Sequence, residues 1–269
     1  MIKKIRGAVL DIDGVLRRGQ QPIKGSIEAV QRLVAAGIRI ILLTNNSTKT
    51  RDSISEEIET MGFPRIPVVS SGYATAVYIK REFGPSRVLV VGEEGLMEEL
   101  RLQGHDPVKA GDAGRFDIRN LKRSIDTTID IVVAGMDRSL SYGKIADALL
   151  HIRNGAEFMG TNSDPTFPME DGMVLPGAGS TLAPIVFSSG IDPLIIGKPD
   201  PFGTLLAVEQ IGLRPEEVIV VGDRPDTDIK AGISAGCMVA RVLTGEVGPL
   251  DEPSSPEYPD LLSAVDALL

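Results

Sequence analysis

Tryptophan is absent, cysteine occurs once and histidine only twice in these 269 residues. A lone Cys237 cannot close an intramolecular disulfide, which suits a reducing compartment and leads to the expectation of a cytoplasmic protein. Its neighbours Ala235, Gly236, Met238 and Val239 read as the start of a buried strand, so the thiol is expected to pack rather than to react. His105 and His151 lie far apart, without ligand spacing. That argues against a histidine-based metal centre and against a Ser-His-Asp triad, and both are expected at surface or packing positions. No apolar run approaches the roughly 20 residues of a membrane span. No signal peptide is visible either, because the apolar run after Lys3, Lys4 and Arg6 is short and is broken by Asp11. Cations are outnumbered: 28 Lys and Arg against 37 Asp and Glu leave a formal net charge of -9. Neither nucleic acid nor a membrane is therefore an expected partner. A small anion stays admissible, since a bound cation and a local Lys reverse the sign inside a pocket. No Walker A loop or dinucleotide-binding glycine fingerprint occurs, and Gly177-Ala178-Gly179-Ser180 reads as a loop before a helix.

What is present is ample core material, 42% apolar residues, and one unusual stretch. Ala8-Val9-Leu10-Asp11-Ile12-Asp13-Gly14-Val15 reads as a buried strand ending in two carboxylates. Residues two apart on an extended chain point to the same side, so Asp11 and Asp13 share one site while Ile12 packs away. Gly14 lets the backbone turn. Two carboxylates this close repel unless a proton or a cation relieves them. A hard cation such as Mg2+, held by one or two carboxylates with water and phosphate oxygens, is the simplest relief.

The remaining chain frames that stretch. An amphipathic helix over residues 25–37, with Ser26 as a candidate cap, precedes the apolar strand Ile38–Leu43, which ends in Thr44-Asn45-Asn46. A second helix ending at Gly62 and a strand at Pro67–Ser71 complete an alternation that implies a parallel sheet with right-handed crossovers. From Tyr73 a helix leads out of this sheet into a second α/β unit. It has strands at Arg87–Val91, Ile129–Ala134 and Glu157–Gly160, and a polar, weakly patterned stretch between Gly104 and Thr128. The first style then returns, with a helix at Thr181–Ser188 and a strand at Pro193–Pro199 that carries Lys198. The apolar strand Glu217–Asp223 follows, then a capped helix start at Asp226–Ile229. Gly248–Pro259 reads as an exposed loop. The expected fold class is α/β: a doubly wound, Rossmann-like parallel-sheet core of residues 1–75 and 180–269, interrupted by an α/β cap of residues 76–179.

Asp11 with Asp13, Thr44 with Asn45, and Asp223 all fall at carboxyl ends of expected strands, the edge where open parallel sheets bind ligands. Lys198 precedes a helix start, where the dipole disfavours a cation unless an anion sits beside it. Carboxylates, a hydroxyl, an amide and one Lys together point to phosphoryl transfer, with a carboxylate available as nucleophile. Asp11-Ile12-Asp13-Gly14-Val15, Thr44-Asn45-Asn46, Lys198-Pro199 and Gly222-Asp223-Arg224-Pro225-Asp226-Thr227-Asp228-Ile229 resemble, in this order, the four motifs of the haloacid dehalogenase-type hydrolases. The NagD-type subfamily is the nearer likeness, because it too places a large α/β cap between the second and third motifs. Gly160-Thr161-Asn162-Ser163-Asp164 resembles a segment of such caps.

The resemblance implies Asp11 as nucleophile and Mg2+ ligand. It implies Asp13 as general acid and then base, lending its carbonyl to the metal. Thr44, Asn45 and Asn46 would hold the phosphoryl group, and Lys198 would link it to Asp11. Asp223 would ligate the metal with Asp228 in support, and Asn162 and Asp164 in the cap, with Met173–Gly177, would choose the substrate. Asp226 reads as a helix cap only. The implied activity is Mg2+-dependent hydrolysis of a small phosphorylated metabolite through a phospho-aspartyl intermediate, with a homodimer through the cap as one assembly the subfamily forms. Two alternatives stay open: a phosphotransferase or mutase of the same superfamily, and a non-enzymatic module that binds phosphometabolites.

Overall fold

The computed structural model describes residues 5–168, 173–245 and 255–269. Strand β1 (Gly7–Leu10) is central, its four residues fully buried. A small hairpin of β2 (Arg17–Arg18) and β3 (Gln21–Pro22) follows it. Helix α1 (Ser26–Ala35), strand β4 (Arg39–Thr44), helix α2 (Arg51–Thr60) and strand β5 (Val68–Ser70) then extend the sheet to one side. Gly25 occupies the left-handed position before α1. Ser26 is no cap: its hydroxyl is buried and donates to the carbonyls of Leu16 and Ile23.

Helix α3 (Ser71–Glu82), capped by the Ser70 hydroxyl, leads to a second parallel sheet. Its elements are β6 (Arg87–Val91), α4 (Glu94–Leu102), β7 (Asp106–Lys109), the short α5 (Leu121–Ser124), β8 (Ile131–Ala134), α6 (Tyr142–Arg153) and β9 (Glu157–Gly160). A hairpin of β10 (Thr166–Pro168) and β11 (Val174–Pro176) is followed by α7 (Ala178–Ser189) and β12 (Leu194–Ile195). The chain re-enters the first sheet through α8 (Phe202–Gln210), β13 (Val218–Gly222), a single π-turn at Pro225–Ile229, α9 (Lys230–Ser234), β14 (Met238–Val242), β15 (Glu257–Tyr258) and α10 (Leu261–Leu268). The expected loop Gly248–Pro259 lies partly outside the described residues; its end forms β15, which pairs with β14.

The first sheet has the order β15-β14-β13-β1-β4-β5 and the second β12-β9-β8-β6-β7. Because side chains alternate along a strand, Ala8 and Leu10 join α1, α2 and α10 on one face. Val9 joins α3 and α8 on the other. Both faces are covered, which explains the unbroken apolar runs.

Both expected boundaries of the inserted unit cut through an element. Residues 75 and 76 lie within α3, whose Ala74 and Val77 pack on the first sheet while Ala76 and Ile79 pack on the second. Residues 179 and 180 lie within α7, whose Leu182 and Ile185 belong to the core of the second sheet, and β12 pairs with β9 there. The expected core strand Pro193–Pro199 is thus a two-residue edge of the other sheet. Strand β7 was hidden in the polar stretch. Among the described residues no helix is long and apolar enough to cross a membrane.

Candidate active site

In the first sheet β1 lies between β13 and β4, all parallel, with Leu10 in register with Val221 and Leu42. Asp11, one residue further along, and Asp223 and Thr44, each two residues further, therefore meet at the carboxyl edge, where the chain crosses over in opposite directions on the two sides of β1. Gly14 has φ +91°, and a Cβ there would stand 2.5 Å from the Asp223 carboxylate. Only glycine lets the turn after β1 pass so close.

Lys198 is buried between carboxylates. Its Nζ donates to Asp11 Oδ1 at 2.5 Å, to Asp228 Oδ1 at 2.6 Å and to the Leu43 carbonyl at 3.3 Å. Burial alone would lower the ammonium pKa, but Asp11 and Asp228 outweigh it and hold Lys198 well above the ordinary range. Burial raises the Asp11 carboxyl well above its usual range, Lys198 opposes this, and Asp228 and Asp223 add to the rise. Oxygen atoms of Asp11, Asp223 and Asp228 lie within 4.8 Å of one another. An all-oxygen set of this spacing fits a hard divalent cation.

Asp13 accepts from Arg17 Nε at 3.0 Å, and Arg17 also faces Glu57 at 3.4 Å. The Thr44 hydroxyl accepts from the Asn46 backbone, and the Asn46 side chain binds Thr48. Asn45 is a joint between the sheets. Its Nδ2 donates to Asp164 Oδ2 at 2.9 Å and to the Lys198 carbonyl at 3.0 Å, while its Oδ1 accepts from Lys198 N at 2.9 Å. Its carbonyl accepts from the Ser71 hydroxyl and from Asn162 Nδ2.

One cavity of about 100 Å³ is lined by all ten residues singled out in the sequence: Asp11, Asp13, Thr44, Asn45, Asn46, Asn162, Asp164, Lys198, Asp223 and Asp228. Of Met173–Gly177, only Gly177 reaches it. Met136, Thr166, Phe167 and Arg224 line it too and were missed. Arg224 stood inside the fourth motif, beside Asp223, and was the one with a visible signal. Asp226 is not a cap. It accepts two bonds from the Arg224 guanidinium, and Asp228 takes the Arg224 backbone N–H. Cys237 lies one residue before β14, and burial pushes its thiol up to about 11, so it stays protonated. His105 and His151 are buried packing residues of the second sheet's surroundings, each held by backbone hydrogen bonds.

A family model described as haloacid dehalogenase-like hydrolase matches residues 8–106, and a second, HAD-hydrolase-like, matches residues 195–268. An acid sugar phosphatase of Staphylococcus aureus is 35% identical over 267 residues, 98% of this chain and 96% of that protein. A solved structure described as a putative nagD protein aligns with a TM-score of 0.86 at 31% identity, covering 99% of this chain and 100% of the other. A glycerol phosphate phosphatase of Mycobacterium tuberculosis, solved in complex with magnesium, aligns with a TM-score of 0.84 at 31% identity, over 97% of this chain and 76% of the other. A Rossmann-like sheet with a capping α/β sheet, four ordered motifs on one edge and likeness along nearly the whole length converge: the chain belongs to the haloacid dehalogenase-like hydrolases, among the NagD-type phosphatases.

Proposed function

We propose that the protein is a Mg2+-dependent hydrolase of small organic phosphate monoesters that works through a phospho-aspartyl intermediate. The observation that carries this reading is the buried Asp11 at the tip of β1, ion-paired to Lys198 and within 4.8 Å of the Asp223 and Asp228 oxygens. Asp11, Asp223 and the Asp13 carbonyl would hold the cation, with Asp228 in support. When bound, the cation offsets the repulsion between the Asp11 carboxylate and the phosphoryl oxygens and polarises the phosphorus.

In the first step an Asp11 carboxylate oxygen bonds to phosphorus as the ester P–O bond breaks. Asp13 gives its proton to the leaving alkoxide. Lys198 and the Thr44 hydroxyl stabilise charge on the transferring group. In the second step Asp13, now a carboxylate, takes a proton from water, whose oxygen bonds to phosphorus while the Asp11–phosphorus linkage breaks. Arg17 fixes Asp13 in place through both steps. Residues of the second sheet form part of the wall of the cavity at this edge, which favours small substrates. The names of the relatives, an acid sugar phosphatase and a glycerol phosphate phosphatase, support the same substrate size.

The test is phosphate release from a panel of small phosphate esters, with Mg2+ and with EDTA, for wild type and Asp11→Asn. Release that needs the metal and drops at least about 10³-fold in the variant is expected. A folded Asp11→Asn protein with wild-type turnover overturns Asp11 as nucleophile, and a folded wild type that releases no phosphate overturns the reading.

A further inference from the structure

The reaction proposed above has Asp13 hand a proton to the leaving alkoxide and later take one from water, so its carboxyl must keep one aim while its charge changes. The turn after β1 brings Arg17 to it. Gly14 N–H donates to the Arg17 carbonyl at 2.8 Å, and Arg17 N–H donates to the Ile12 carbonyl at 3.1 Å. From there the Arg17 Nε donates to Asp13 Oδ1 at 3.0 Å. An oxygen that accepts from a guanidinium leaves the transferable proton to the other oxygen, here Oδ2.

A guanidinium is planar and rigid, so the aim of Nε is set by whatever holds the rest of the group. The Arg17 side chain is only 7% exposed, and its Nη1 reaches Glu57 Oε2 at 3.4 Å. Glu57 stands on α2 beside Ile58, which is buried with Ile54 in the core of the first sheet. Its other oxygen, Oε1, is held by the Lys49 ammonium. Charge thus alternates along Lys49, Glu57, Arg17 and Asp13, and of these four only Asp13 lines the cavity. While Asp13 carries its proton, a buried guanidinium with no second carboxylate would lack a counter-charge. Glu57 supplies one from a fixed helix, away from the reacting atoms.

We propose, on the phosphatase reading above, that Glu57 is a positioning residue: it holds the Arg17 guanidinium and, through it, aims Asp13 at the leaving oxygen. Its effect falls on esters whose leaving group needs the proton. As the ester P–O bond breaks and the Asp11–phosphorus bond forms, an alkoxide must take the Asp13 proton, whereas p-nitrophenolate is stable enough to leave without it.

The test compares kcat/KM for p-nitrophenyl phosphate with that for whichever alkyl phosphate of the panel wild type hydrolyses best. Glu57→Gln should lower the alkyl value by about 30-fold and the aryl value by less than about threefold. A merely structural role would lower both alike. Arg17→Met should show the same bias, and adding Glu57→Gln to it should cost nothing further, because both act along one route. Glu57→Asp keeps the charge on a shorter stem and should show an intermediate loss with the same bias; it serves if Glu57→Gln fails to fold. Equal losses on the two esters, no loss on the alkyl ester, or a double variant well below Arg17→Met overturns the proposal while leaving phosphatase activity standing. A wild type that hydrolyses only the aryl ester overturns it as well. Absence of turnover with both esters, in a folded protein, removes the phosphatase reading and this proposal with it.

Discussion

Lys198 brings a positive charge into a space shared with Asp11 and Asp228, all three nearly shut off from water. Such a group is held together by mutual compensation, and removing one member leaves the others charged and desolvated. Lys198→Met should therefore cost about 3 kcal/mol of stability at pH 7 in urea denaturation. Millimolar Mg2+ should restore part of that loss by taking over the neutralisation. Equal stability of variant and wild type without metal would contradict this account. His105 carries a second consequence of burial. Its Nδ1 accepts from the Ser86 N–H and its Nε2 faces the Ala76 carbonyl, an arrangement that requires the neutral ring. Burial lowers its pKa below the usual 6.5. In the window between the folded and unfolded values the unfolded chain binds the extra proton. This contribution to stability is thus complete above about pH 6.5 and declines as pH falls below it. Thermal melts from pH 7 to pH 5 should show a shallower decline for His105→Asn than for wild type. Parallel declines would show that the ring does not titrate in this way.

At the scale of the element, the contact between α4 and the loop before α2 ties the two sheets together. Gly95 N–H donates to the Thr48 carbonyl at 3.2 Å, Glu99 accepts the Arg51 N–H at 2.7 Å, and a Cβ on Gly95 would stand 2.4 Å from Lys49 N. Helix propensity favours Gly→Ala by up to about 1 kcal/mol, but here the obstacle is backbone that cannot rotate aside. Gly95→Ala should destabilise by about 2 kcal/mol, whereas Gly143→Ala in α6, with nothing nearer than 3.8 Å, should be neutral or stabilising. Urea midpoints of the pair decide it, and equal shifts would dismiss the clash. Elements buried on both faces were legible in the sequence, as Ala8–Leu10, Ile40–Leu43 and Val218–Val221 show, because their side chains all meet apolar neighbours. Strand β7 was not, since its exposed edge carries Asp106, Pro107 and Lys109 without an apolar signature. Strand β12 was legible as a strand but its sheet was not, because its partner, β9, lies more than thirty positions away. Within the site, carboxylates at strand ends were legible from spacing alone. The part played by Asn45 in joining Asp164 to the Lys198 backbone was not, for it depends on which loops the folded chain brings together.

The whole molecule is two parallel sheets whose cores meet through α3 and whose facing edges share one cavity. Neither sheet completes the site. The first holds Asp11, Thr44 and Asp223, the second brings Asn162 and Asp164, and Asn45 bonds to both sides. Fold class, including a second α/β unit beside the core, and the order of the motifs were visible in the linear sequence because each is carried by local residue pattern. Where the insertion ends was not, because α7 and β12 resemble first-sheet elements in composition and differ only in what they pack against. The short return from β12 to Lys198 has a bearing on modular exchange. Ile195 is paired to the cap sheet, Gly197 N–H donates to the Thr161 carbonyl, and the ammonium-bearing residue comes next. A chimera spliced after residue 179 would divide one sheet between two parents and leave Lys198 tethered to a foreign edge. A graft spanning α3 to Gly197 would carry the lid as a single inheritable piece, and with it the setting that aims the lysine.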